Sequence, residues 1–256
     1  MELEKKKFDY FDSSDKLEGF EDINAQTMSI PFVRILQTKS PQLDKRAPEY
    51  IEGAEEGQFF NNVTKKIYGE KINVIILKFE HIYIEWLPER GGFVDVHSPE
   101  NAAKITVSKE FNNWQTEDGN LLQENYCYFC LVEGEEEQGP VIITMASTAL
   151  KPAKNLNRLI TSHVLPNGNK ALPYWLIVEI ESKYKTDDKN SWYIPSAKIA
   201  NYVDEKQYNL TKRERLSLPD RRVDYAQLEG IKDKEENKTI EQPEENKNKS
   251  YGKVPY

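Results

Sequence analysis

Lys151, Lys154 and Arg158 follow one another at spacings of three and four residues. On an α-helix such spacing puts side chains on one face, so the three would form a single cationic stripe. A stripe of this kind can neutralise the phosphates of a polyanion. Its surroundings strengthen the reading. From Gln138 to Val178 the chain reads QGPVIITMASTALKPAKNLNRLITSHVLPNGNKALPYWLIV and holds no aspartate or glutamate. The fixed charges there are Lys151, Lys154, Arg158 and Lys170, with His163 as a titratable addition. The protein as a whole carries a net charge of -8. Local positive potential on an acidic protein lets one surface bind a polyanion while the others repel it. The plainer alternative is a solvated helix face, but such faces usually mix charges of both signs.

Aromatic residues form the second constellation. Tyr174, Trp175, Trp192 and Tyr193 fall on two expected neighbouring strands flanking a turn rich in lysine (Lys183, Lys185, Lys189). Tyr83 and Trp86 close an earlier strand. Aromatic rings beside a positive groove stack unpaired bases, each stack contributing ~1–3 kcal/mol. Strand alternation turns about half of such rings into the core, and it puts Trp192 and Tyr193 on opposite faces.

Other chemistries find less support. Glu179 and Glu181 share a strand face, with Asp187 and Asp188 in the adjacent turn. A magnesium-dependent nuclease needs several carboxylates converging on one ion. Acidic turns are common, and that is the simpler account of these residues. Cys127 and Cys130 form one C-x-x-C within YCYFCLV, with no second Cys/His pair at zinc spacing. They read as buried strand cysteines. His81, His97 and His163 show no metal-ligand or base–nucleophile spacing, and no P-loop, G-x-G-x-x-G or G-x-S-x-G is present. The expectation is therefore a protein without catalysis, metal or cofactor.

The elements that must position these residues follow from periodicity. Strands are expected over Ser29–Thr38, in a hairpin from Gly57 to Gly69 turning near Asn61-Asn62, and over Lys71–Leu87. In the last of these Tyr83 and Glu85 face one way, and Ile82, Ile84 and Trp86 the other. A short helix is expected around Ala102–Phe111 and a turn at Glu117–Gly119. Asn125–Gly134 and Pro140–Ser147 form another hairpin. Then comes the strongest helix signal, with Ser147 or Thr148 as cap and Pro152 in the first turn. Leu150, Ala153, Leu156, Leu159 and Ile160 form its apolar face. Pro173–Lys185 and Ser191–Val203 follow as strands.

This order predicts a mainly β (α+β) fold: an OB-fold-like antiparallel barrel with one main helix between strands, extra N-terminal strands and a flexible C-terminal tail. The expected division is an arm over 1–27, a barrel domain over 28–203, and a helix and largely disordered tail over 204–256. Residues 231–256 have the composition of a disordered segment, six lysines offsetting six acids. The first residues lack a long apolar run, and none elsewhere approaches the ~20 residues that cross a bilayer. A soluble, intracellular protein with no membrane partner is expected.

Three segments together resemble the single-stranded-DNA-binding proteins of tailed bacteriophages. They are GFEDINAQTMSIPFVRILQTKSPQ, PEYIEGAEEGQFFNNVT, and STALKPAKNLNRL followed by a P-Y-W strand and a K-N-S-W-Y strand. The resemblance covers roughly residues 18–200. It implies an OB-fold core that coats single strands during replication and recombination in the cytoplasm of the infected host. It further implies a homodimer, and a C-terminal tail that recruits replication proteins. Binding would fall to Lys151, Lys154, Arg158, Trp175 and Trp192, with Lys170, Tyr193, Tyr83 and Trp86 added by the charge and aromatic patterns. The tail departs from that family's acidic end: Lys253 precedes the final VPY and the segment is not net acidic. A different class of function also fits a strand-rich domain with polar arms at both ends. That alternative is a virion-associated or assembly protein whose arms order on other proteins.

Overall fold

The apolar run from Lys71 to Trp86 forms the longest strand, and the rest of the sheet grows from its two edges. A computed structural model describes residues 28–110 and 113–228. The strands are β1 (Phe32–Ile35), β2 (Phe59–Asn61), β3 (Ile67–Gly69), β4 (Lys71–Trp86), β5 (Phe93–His97), β6 (Thr106–Glu110), β7 (Asn113–Thr116), β8 (Leu121–Val132), β9 (Val141–Ala146), β10 (Leu176–Thr186) and β11 (Ser191–Tyr202). The helices are α1 (Pro99–Ile105), α2 (Leu150–Ser162) and α3 (Glu205–Ser217). The main path of the sheet runs β11-β10-β4-β8-β9-β1-β2-β3, with β5 beside β4, β7 beside β8 and β6 beside β7.

The fold is mainly β, a curled mixed sheet with few helices. All pairings but one are antiparallel; β1 runs parallel to β9, with Phe32 opposite Ile142. The end strand β11 meets the segment after β1 by a side-chain device. Gln37 donates from Nε2 to the Tyr193 carbonyl at 3.0 Å and accepts from the Tyr193 amide at 2.8 Å. One amide side chain thus supplies the paired bonds that a neighbouring strand would otherwise make. Gly57, at φ +83°, makes room there, because a Cβ would lie 2.7 Å from the Tyr193 ring.

Each face of the sheet carries a buried core. One core gathers Val74, Ile76, Tyr128, Cys130, Ile143, Val178 and Ile180 under α2. The other gathers Phe32, Ile75, Ile84, Cys127, Phe129 and Ile177 with Leu218 and Leu228 from the C-terminal segment. Cys127 and Cys130 therefore belong to opposite faces. Both thiols are free and buried, and burial pushes both pKa values up. They are core residues, as the sequence indicates.

Ala153, Leu156 and Ile160 of α2 are buried. The Tyr128 hydroxyl ties the helix down, donating within reach of the Ala153 carbonyl at 3.0 Å and of Asn157 Oδ1 at 2.9 Å. The start of α2 differs from expectation. Residues Ser147–Ala149 form a 3-10 turn, the N-cap is Ala149, and no side chain caps the helix. Ser147, at φ 49°, is taken up by the corner, and its Oγ accepts from Gln123 Nε2 at 3.4 Å.

The short helix also sits earlier than expected. Ser98 caps it, accepting from Asn101 N, and Pro99 occupies the first turn, where its missing amide proton costs little. Thr106 and Val107, both β-branched, leave the helix for β6. At the far end Asp204 and Gln207 form a reciprocal capping box that starts α3. Ile30 N donates to the Arg222 carbonyl at 3.1 Å. Arg34, bonded to the Gln227 carbonyl, is held by burial at a pKa of about 10. The expected arm over 1–27 and the tail over 231–256 lie outside the described residues.

Candidate nucleic-acid interface

With its apolar side against the sheet, α2 turns its other side outward. Lys151, Lys154, Asn155 and Arg158 are all exposed. The loop after the helix folds back on itself: Ala171 N donates to the His163 carbonyl at 3.0 Å, and Val164 bridges Lys170. This brings exposed Lys170 to the C-terminal end of α2. Among the described residues no carboxylate lies within ion-pair distance of Lys151, Lys154, Arg158 or Lys170. The acid-free stretch of sequence has become a surface of unneutralised cations.

This surface ends at an aromatic cleft. His163 Nε2 lies 3.0 Å from the hydroxyl of exposed Tyr202. Tyr202, Trp175 and Tyr208 line the cleft with Val203, Asp204 and Glu205. Val203 N donates to the Trp175 carbonyl at 3.1 Å and holds the two walls together. Beside it, the Arg215 guanidinium lies 3.9 Å from the centre of the Tyr174 ring. Tyr174 and Trp175 do not sit on a strand as expected. Pro173 opens a 3-10 turn over Pro173–Trp175, and β10 starts only at Leu176. Trp175 is half-buried, packed on one side against the α2 core.

The aromatics grouped by sequence are separated in space. Leu176 pairs with Tyr202, whereas Lys185 pairs with Trp192. Trp175 and Trp192 thus lie at opposite ends of the β10–β11 hairpin, roughly 30 Å apart at ~3.3 Å per residue. Trp192 is half-buried, and its indole nitrogen is buried without a partner. Tyr193 points to the other face, where its ring covers Gly57 and meets Tyr184 edge-on at 5.4 Å. Tyr83 and Trp86 are core residues, 7% and 3% exposed. Tyr83 stacks on Trp114 at 5.1 Å, and Trp86 meets Phe93 edge-on at 6.1 Å. Neither offers an open ring face, because both sides of the sheet are covered at this end of β4.

The carboxylates of the hairpin are engaged by lysines. Glu179 pairs with Lys198 at 3.0 Å and Lys71 at 3.6 Å, and Glu181 with Lys183 at 2.7 Å and Lys71 at 3.4 Å. The hydrogen bond from Lys198 lowers the pKa of Glu179, and that from Lys183 lowers the pKa of Glu181. Among the described residues no group of three or more His, Cys, Asp or Glu side chains could hold a metal ion.

Residues 4–223 match the family model described as Pam3 phage gp34-like protein. The chain belongs to that family. It is thereby a bacteriophage protein, and the matched span includes the basic face, the cleft and both strands of the hairpin. No curated protein and no solved structure matches the chain. No helix among the described residues is long and apolar enough to cross a membrane.

Tyr202 and Tyr208 are cleft residues that motif reading passes over. Tyr202 had a signal, since it ends the same strand as Trp192. Which end of that strand meets α2 depends on hairpin register, which the alternation of side chains does not reveal.

Proposed function

We propose that this phage protein binds single-stranded DNA without strong sequence preference, in the cytoplasm of the infected host, during replication or recombination. The carrying observation is the exposed face of Lys151, Lys154 and Arg158, free of described carboxylate partners and ending at an aromatic cleft. The cations would neutralise phosphates, and Trp175 and Tyr202 would take a base. Asp204 and Glu205 would confine a strand to the ring side of the cleft, and the acidic remainder of the surface would repel polyanions elsewhere, which favours one path over the molecule. In this reading the curled sheet, with α2 between β9 and β10, is an OB-fold-like barrel and the protein is not an enzyme.

The test is a fluorescence-anisotropy titration with labelled oligo-dT at low and moderate salt, beside a duplex control. The expected result is binding of the single strand that weakens steeply with salt and exceeds binding of the duplex. Absence of binding at low salt would overturn the reading and leave the assembly role as the better account.

A further inference from the structure

The helices α1 and α2 cover one face of the sheet at its two ends and leave a strip of rings between them. Phe79 and His81 on β4 pair with Tyr128 and Tyr126 on β8. Directly paired residues share a face of the sheet, so all four side chains point the same way. Phe79 meets Tyr126 edge-on at 5.2 Å and Tyr128 at 5.3 Å, and His81 lies 4.8 Å from Tyr126. Tyr128 disappears under α2 through its bonds to Ala153 and Asn157. At the other end Tyr83 packs with Ala102, Leu122, Ile105 and Trp114, under α1. Between these limits Phe79 is 40% exposed and the His81 side chain 31%.

A half-exposed phenyl ring in the middle of a sheet face is an unusual use of apolar surface, and its borders suggest what lies on it. Lys151 and Lys154 are exposed on α2, Lys104 is exposed on α1, and exposed Lys109 on β6 sits 4.9 Å over Trp114. Acids are present too: Glu124 on the strip lies 3.0 Å from His81 Nε2, and Glu100 is exposed on α1 one turn from Lys104. Rings on the floor with cations on both banks match the chemistry of unpaired bases on a phosphate backbone. An apolar protein surface would match the floor but has no use for the banks.

We propose that Phe79 and His81, resting on buried Tyr126, form a second stacking site for unpaired bases, on the sheet face between α1 and α2 and remote from the Trp175 cleft. It rests on the single-strand reading and deepens it. The strand would run from the cleft along α2 and onto the sheet between the two helices. The bound length would then exceed what the helix and cleft alone can hold.

The test compares oligo-dT with an abasic oligonucleotide of equal length, which presents phosphates without bases. Wild-type protein is set beside Phe79→Leu, which keeps apolar bulk over Tyr126 and Tyr128, and Arg158→Ala. Thermal unfolding confirms that each variant is folded. The expected result is that Phe79→Leu weakens oligo-dT binding by about tenfold and leaves abasic binding unchanged. Arg158→Ala should weaken both ligands and reduce the salt slope. Unchanged oligo-dT binding by Phe79→Leu would overturn the strip while leaving the phosphate reading standing. So would equal wild-type affinity for the two ligands. Failure of the wild type to bind either oligonucleotide would overturn both.

Discussion

Lysines occupy two outward surfaces of this protein in opposite circumstances. On the β10–β11 hairpin and the adjoining start of β4, Lys71, Lys183 and Lys198 interleave with Glu179 and Glu181. On α2, Lys151, Lys154 and Arg158 stand exposed without a described carboxylate partner. Strand pairing accounts for the first arrangement, because Glu179 is directly opposite both Asn73 and Lys198 in the sheet, and Glu181 opposite Lys71. Opposite charges at such positions satisfy one another locally. Helix α2 has no such neighbour on its outer side. Lysine content alone therefore says little about a surface; what decides its potential is whether the fold sets acids beside the lysines.

The largest consequence is a difference in response to charge reversal. Replacing Lys151, Lys154 and Arg158 together with glutamate should reduce oligo-dT affinity by on the order of a hundredfold or more at low salt. It should also flatten the salt dependence by about two units of slope, given ~0.7 per single-strand phosphate contact. Thermal unfolding should be nearly unchanged, since these side chains lie outside the core. A neutralising triple on the other surface, Lys71→Gln, Lys183→Gln and Lys198→Gln, should leave binding close to wild type, whereas its like-for-like counterpart, Lys151→Gln, Lys154→Gln and Arg158→Gln, should weaken it. Equal losses from the two glutamine triples in the same titration would erase the distinction between the surfaces.

The basic face was legible in the sequence because helical spacing and a long acid-free run are both local properties. The aromatic site was only partly legible. Side-chain alternation correctly placed Tyr83 and Glu85 opposite Ile82, Ile84 and Trp86, but it could not tell that both sides of β4 are covered there. Tyr83 meets α1 residues on one face and Trp86 the C-terminal segment's core on the other. Burial of both faces is a property of tertiary packing, and it removes both rings as platforms. The separation of Trp175 from Trp192 likewise depends on hairpin register, and Trp175 joins the basic face because Pro173 converts the strand's expected start into a turn. The exposed ring of Phe79 has no signal in the sequence, because its run, NVIILKF, reads as buried strand. The gap that exposes it exists only because α1 and α2 stop short of each other.

A smaller effect separates the two ends of the hairpin. Trp175→Leu should weaken oligo-dT binding by about tenfold through the lost stack. Trp192→Leu, at the charge-balanced end, should leave affinity unchanged. Tryptophan fluorescence gives an independent reading. Quenching on adding oligo-dT should persist in Trp192→Leu and fall in Trp175→Leu. Quenching that instead disappears with Trp192 would move the base site to the other end of the hairpin.

The smallest effect concerns the ion pairs themselves. Glu179→Gln with Glu181→Gln would release Lys71, Lys183 and Lys198, and a few-fold gain in oligo-dT affinity at low salt should follow. The same carboxylates predict an acid-side change in stability. Their folded pKa values are lowered, by the Lys198 and Lys183 hydrogen bonds first. A depressed carboxyl contributes stability that is present above the unfolded carboxylate pKa, about 4.3 for glutamate, and is lost as pH falls through the folded value. Urea midpoints measured from neutral pH downward should therefore fall in that acid range for the wild type, and fall less for the double glutamine variant. Reversing the α2 cations should leave this acid-side difference in place, because no described carboxylate there depends on them. If the double variant followed the wild-type acid profile, the hairpin pairs would be too weakly formed to account for the difference between the two surfaces. Another cause would then be needed for any preference of oligo-dT for α2.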